Sequence, residues 1–109
     1  MIQASAIFKE NLVQLPSIDG VLRIDLMDAQ GGTVASIPNE AGKQGSLAVY
    51  QYLAQTFPTL NAEAATHGLQ IFAEHTADAK NRPGAHPNVD HLLAIANGGA
   101  ALSIHVITA

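Results

Sequence analysis

The segment from Glu74 to His91 concentrates side chains that can carry proton-transfer chemistry. It holds three of the five histidines of the chain, three carboxylates and one of only two arginines. A histidine beside a carboxylate can move a proton near neutral pH, and an arginine can hold an anionic group. His75 and Asp78 are spaced to meet on one helix face, and His91 follows on the next helix. These three form the candidate catalytic set, with Arg82 as the clamp for an anionic substrate.

The same residue types also bind zinc, iron or manganese in proteins that lack cysteine ligands, and this chain has no cysteine. The best-spaced pairs are His75 with Asp78 and His86 with Asp90. None of the spacings HxH, HxxxH or HExxH occurs. We therefore assign no metal ligand and leave the cofactor open, because these histidines could equally cap helices, pair with carboxylates or face solvent.

A second candidate is the loop at residues 39–46, which joins a predicted strand to a predicted helix. Glycines, a lysine and a hydroxyl at the positive end of a helix bind anions in many folds. A nucleotide-binding Walker loop is disfavoured, because Gln44 and a glycine separate the lysine from the serine. The alternative is an ordinary helix start after a flexible connection. The predicted ligand-binding residues are Lys43, Gly45 and Ser46 from this loop and Arg82 and His86 from the first segment.

The spacing of apolar residues predicts the elements that must position these side chains. Helical spacing covers Ala4–Leu15, where Ser5 is the expected cap, and strict alternation indicates strands. A turn at Arg82-Pro83-Gly84 must fold two helices back on each other, because proline cannot continue a helix. The predicted strands are Val21–Met27, Thr33–Ile37 and Ala101–Thr108, and the other predicted helices begin at Ser46, Asn61 and His86-Pro87.

This order of elements predicts an α+β fold: a small three-stranded, mainly antiparallel sheet with about four helices packed on one face. A length of 109 residues fits a single domain, residues 1–109. Charged residues make up 13% of the chain, about half the usual share. Together with the open edges of a small sheet, this favours a homodimer in which a second subunit covers part of the surface.

Charge and hydropathy also exclude classes of partner. Five basic residues against nine acidic ones give a net charge of −4, and no basic cluster is present to meet a phosphate backbone. Nucleic acid is therefore not an expected partner. No stretch approaches the roughly eighteen apolar residues that a membrane span needs, and the N-terminus lacks the apolar run of a signal peptide. We expect a cytoplasmic protein that does not bind membranes.

Four short stretches carry a likeness to known sequences: residues 35–39, ASIPN; Gly42 to Tyr50; residues 74–78, EHTAD; and His86-Pro87-Asn88. Through them the chain resembles a family of short bacterial proteins classified only as a domain of unknown function. The resemblance implies a stand-alone single-domain bacterial protein, and it supplies no activity, catalytic residue or cofactor.

Two hypotheses for the function follow from the residues. The first is a small cytoplasmic binding or interaction protein, homodimeric, with a site for a small anionic metabolite. The second is a metal- or His/Asp-dependent enzyme that uses the cluster at residues 74–91.

Overall fold

Strand β1, Val21–Met27, is the centre of the sheet. Its alternation places Ile24 and Leu26 on a fully buried face, whereas Arg23 lies on the opposite, exposed face. The computed structural model describes residues 1–109 and pairs β1 antiparallel with β2, Thr33–Pro38, and with β3, Ser103–Thr108. The strand order is β2-β1-β3, so both outer strands are open edges.

Five helices accompany the sheet: α1 (Phe8–Leu12), α2 (Gln44–Thr56), α3 (Ala62–Phe72), α4 (Glu74–Asn81) and α5 (Pro87–Ala96). Helix α2 contacts all three strands, and α3 packs against both α2 and α5. None of the five is both long and apolar enough to cross a bilayer. The predicted α+β fold with a three-stranded antiparallel sheet is confirmed.

Close packing of α3 on its neighbours depends on Gly68. A Cβ atom at this position would lie 2.8 Å from Cδ1 of Leu92 on α5 and 2.9 Å from Cδ1 of Leu53 on α2. Both distances are shorter than van der Waals contact, so the absent side chain lets three helices meet at one point. The adjacent core contains Tyr50, which is fully buried and donates a hydrogen bond from its hydroxyl to the Asn88 carbonyl oxygen at 2.6 Å.

The first helix is shorter than predicted, because the preceding backbone finds a different partner. Asn11 is fully buried, and its Oδ1 accepts a hydrogen bond from the Ser5 amide at 2.7 Å. Its Nδ2 donates to the carbonyl oxygens of Ser5 at 3.0 Å and Ile71 at 2.9 Å. Asn11 thus ties the N-terminal arm, residues 1–7, to α1 and to the end of α3. The arm has no regular secondary structure where a helix from Ala4 was expected.

The predicted continuous helix after Asn61 is divided in two at Ala73. Asn61 does cap α3, since its Oδ1 accepts from the Ala64 amide at 3.0 Å. Ala73, however, has φ 51° and ψ −116°, a conformation that favours glycine. The Thr76 hydroxyl donates to the Leu69 carbonyl oxygen across the break at 2.6 Å. Helix α4 therefore leaves the line of α3 and carries its own side chains in a new direction.

Candidate functional site

The two segments singled out in the sequence meet at one cavity of about 710 Å³. One wall is the start of α2 with the loop before it, and another is the turn from α4 into α5. The polar lining consists of Ser36, Lys43, Gln44, Ser46, His75, His86 and Asn88. The larger apolar lining side chains are Phe8, Leu12, Ile37, Phe72, Pro87 and Val89.

The charge of this lining differs from that of the whole chain. The chain carries a net charge of −4, yet no aspartate or glutamate lines the cavity. Lys43 supplies a cation and two imidazoles can supply more. Helix α2 begins at Gln44 without a side-chain cap, two residues before the predicted cap Ser46, so its first-turn amides have no intrahelical acceptor. The lining therefore favours an anion on electrostatic grounds.

Asp78 organises the side chains behind the cavity. Its Oδ2 lies 2.6 Å from Nε2 of His86, and its Oδ1 accepts from Nε of Arg82 at 2.9 Å. A second nitrogen of the Arg82 guanidinium also bonds the carboxylate, which makes the pair bidentate. The Arg82 guanidinium, and then His86, hold the pKa of Asp78 well below its usual range, and the same carboxylate raises the pKa of Arg82. Asp78 is therefore ionised at neutral pH.

The two lining imidazoles are neighbours with different surroundings. The ring centroids of His75 and His86 are 5.4 Å apart, and the edge of His75 also contacts Phe8 at 4.9 Å. The ring of His75 forms no hydrogen bond within the chain, and the ring of His86 uses only Nε2. No buried side-chain nitrogen or oxygen in the protein lacks a partner, so both ring nitrogens of His75 and Nδ1 of His86 are accessible to solvent. These three imidazole nitrogens have no hydrogen-bond partner within the chain.

The remaining predicted residues have other positions. Of the candidates, Lys43, Gly45, Ser46, His75 and His86 line the cavity, whereas Asp78, Arg82 and His91 do not. Asp78 pairs with His86 rather than with His75. Arg82 forms its ion pair with Asp78, and 64% of the Arg82 side chain remains exposed. His91 lies on α5, and its side chain makes no hydrogen bond or ion pair. Asp90 accepts from the Gly84 amide at 3.0 Å instead of meeting His86. No three His, Asp or Glu side chains converge as metal ligands.

Sequence reasoning missed Phe8 and Phe72 as lining residues. Gln44 and Asn88 also line the cavity, and they lie inside the predicted segments 39–46 and 74–91 although they were not named as ligands. Phe8 has no local signal, because its position depends on a contact 66 residues away in which Glu74 Oε1 accepts its amide at 2.6 Å. Phe8 then stacks on Phe72 with ring centroids 5.3 Å apart. Together these rings form an apolar wall beside His75.

Comparison with known proteins identifies one relationship. A family model described as an uncharacterized protein conserved in bacteria (DUF2322) matches residues 8–106. Every lining residue of the cavity falls inside this range. No curated protein and no solved structure matches the chain.

Proposed function

The chain belongs to this family of bacterial proteins, whose description names no activity. From the lining of the cavity we propose that the protein binds a small anionic metabolite that has an apolar part. The lining carries the proposal. Lys43 and two imidazoles face the cavity without any carboxylate, in a chain that is acidic overall. A volume of about 710 Å³ suits a small molecule.

The two sides of the cavity bind different parts of the ligand. The anionic group of the ligand meets the Lys43 ammonium and the uncapped first turn of α2. The apolar part packs on the stacked rings of Phe8 and Phe72. The ring of His75 lies against Phe8, and its nitrogens are accessible. A carboxylate or phosphate ester with an aromatic or branched body fits this arrangement.

Binding of simple probes tests the proposal. Phenyl phosphate and phenylacetate combine an anion with an apolar ring, and benzyl alcohol is the neutral counterpart. We expect the two anions to raise the melting temperature and to give measurable heats in titration calorimetry, whereas benzyl alcohol does neither. Absence of any effect of the anions at millimolar concentration would refute the proposal.

A pair of lysine variants locates the site. Lys43→Gln should weaken phenyl phosphate binding about tenfold, the equivalent of roughly 1.4 kcal/mol. Lys9→Gln removes the same charge from an exposed residue of α1 that does not line the cavity, and it should leave the affinity unchanged. Equal effects of the two substitutions would show that net charge, and not the cavity, governs binding.

We further propose a cytoplasmic homodimer. Two features support the dimer: charged residues make up only 13% of the chain, and β2 and β3 both leave unpaired edges. Light scattering should give twice the chain mass of 11.4 kDa. A mass of one chain at micromolar concentration would contradict the dimer.

The absence of cysteine fits a reducing compartment, and fractionation of bacteria that express the protein tests this location.

A further inference from the structure

The pairing of His86 with Asp78 indicates that the cavity has a catalytic role as well as a binding role. We propose that His86 is a general base, that Asp78 is its positioning residue, and that the cavity hydrolyses small anionic acyl esters. This inference rests on the proposed function, since the same cavity must first hold the anionic substrate.

The hydrogen bond assigns the tautomer of His86. Asp78 is ionised and can only accept, so at a separation of 2.6 Å Nε2 of His86 carries the proton. In the neutral ring Nδ1 then has the free lone pair, and this nitrogen is the accessible one. A carboxylate on one nitrogen and an open lone pair on the other is the arrangement by which a carboxylate orients a catalytic imidazole and stabilises its protonated form.

Both members of the dyad have a further partner. His86 precedes α5, and its carbonyl oxygen accepts the amides of Val89 and Asp90, each at 2.9 Å. Asp78 accepts the bidentate contact from Arg82. His86 is therefore positioned through its backbone, and Asp78 is positioned by a guanidinium.

Few charged groups surround His86. The nearby carboxylates each have a hydrogen-bond partner, and the remaining charged group is a lysine. From α4 the ring meets Asp78, whose charge Arg82 balances, and His75. From the loop before α2, Lys43 lines the same cavity. Asp90 of α5 bonds the Gly84 amide. No second carboxylate pairs with the ring to hold a proton on Nδ1.

The chemistry needs only groups that are present. Nδ1 of His86 takes a proton from a water molecule while the water oxygen attacks the ester carbonyl carbon. The electron pair of the carbonyl moves to its oxygen, and this negative charge forms in a lining that contains the Lys43 ammonium. The bond from carbon to the alcohol oxygen then breaks as the carbonyl re-forms, and the proton on Nδ1 passes to that oxygen. Ester and water give carboxylic acid and alcohol, and Asp78 stays ionised throughout.

The test uses 4-nitrophenyl hydrogen succinate as an anionic ester and 4-nitrophenyl acetate as a neutral one, with nitrophenolate release as the signal. We expect the anionic ester to react faster than with the same concentration of free imidazole, at a rate that rises with pH to a plateau. His86→Asn should lower kcat at least about 100-fold. His105→Asn replaces an exposed histidine of β3 and should have no effect. A rate no higher than that of imidazole, or unchanged in His86→Asn, would overturn the inference.

Two further variants separate catalysis from structure. Asp78→Asn should lower kcat and leave KM unchanged, because the carboxylate no longer orients the imidazole of His86. His86→Ala should regain part of its rate when imidazole is added, which a misfolded variant would not do. An Asp78→Asn variant with unchanged kcat, or with a raised KM alone, would contradict the positioning role.

The two proposals can fail separately. If phenylacetate binds and Lys43→Gln weakens it while His86→Asn hydrolyses as the wild type does, binding stands and catalysis fails. If no anion binds but both esters are hydrolysed equally in a His86-dependent reaction, the dyad stands and the anionic specificity fails.

Discussion

Replacement of Asn11 by aspartate is the sharpest test of the structure, because it changes a single heavy atom of one buried group. Asn11 is fully buried and makes three hydrogen bonds. Asn11→Asp keeps the oxygen that accepts from the Ser5 amide. It replaces the NH₂ group, which donates to the carbonyl oxygens of Ser5 and Ile71, by a second oxygen. The new carboxyl must face two acceptors with at most one proton.

The loss of folding stability in Asn11→Asp depends on pH, and the geometry of the site sets the direction of this dependence. Below the unfolded carboxyl pKa of about 3.9, the group is neutral in both states and loses one hydrogen bond, about 1–2 kcal/mol. At higher pH the unfolded chain ionises freely, whereas the folded protein resists a buried charge aimed at two carbonyl oxygens. The folded pKa of the variant is therefore raised, so stability present below about pH 4 is lost as pH rises. A rise of about two units in the folded pKa would add roughly 2.7 kcal/mol by pH 7, which with the lost hydrogen bond approaches the whole stability of a small domain.

Urea unfolding followed by circular dichroism at several pH values between about 4 and 7 measures the effect. Asn97→Asp adds the same charge at an exposed position and controls for net charge. Asn11→Ala, which cannot ionise, should cost about 2–4 kcal/mol with little change across this range. The reasoning would be refuted if the difference between Asn11→Asp and the wild type stayed constant with pH.

Three other substitutions test separate features. Ala73→Gly should raise the free energy of unfolding by about 1 kcal/mol, because glycine accepts the positive φ of the helix break without strain, and a lower urea midpoint would contradict this. Tyr50→Phe should cost about 1–2 kcal/mol in the same assay by leaving the Asn88 carbonyl oxygen without its donor. The lowered pKa of Asp78 means that its pairing stabilises the fold above the ordinary carboxyl range and ceases to do so as pH falls through the folded pKa. Asp78→Asn should therefore lower the melting temperature most near pH 7 and least at the acid limit, and a constant difference would contradict the pairing.

The sheet and most helix positions could be predicted because their signals are local. Alternation in Val21–Met27 reflects the buried face of β1, and the structure has the same bounds for this strand. The break at Ala73 could not be predicted, since alanine has the highest helix propensity of all residues. The break coincides with tertiary contacts, in which Glu74 bonds the Phe8 amide and Thr76 bonds the Leu69 carbonyl oxygen.

The candidate site was predictable in composition but not in its pairings. Residue types indicated which segments carry chemistry, and both predicted segments do line one cavity. Helical spacing favoured His75 as the partner of Asp78, whereas the turn at residues 82–86 delivers His86 to that carboxylate. Which of the two imidazoles reaches the carboxylate depends on the path of the turn, and the sequence pattern carries no such information.

The break at Ala73 also separates two helices that differ in local stability. Helix α3 buries five residues, and α4 buries only Ala79. With so little apolar surface to expose, α4 can open while α3 and the core stay folded, and its amides should exchange with solvent before those of α3. Asp78 lies on the helix that opens, whereas His86 stays at the start of α5. The dyad can therefore be dissociated by a local fluctuation, at a free-energy cost well below that of global unfolding.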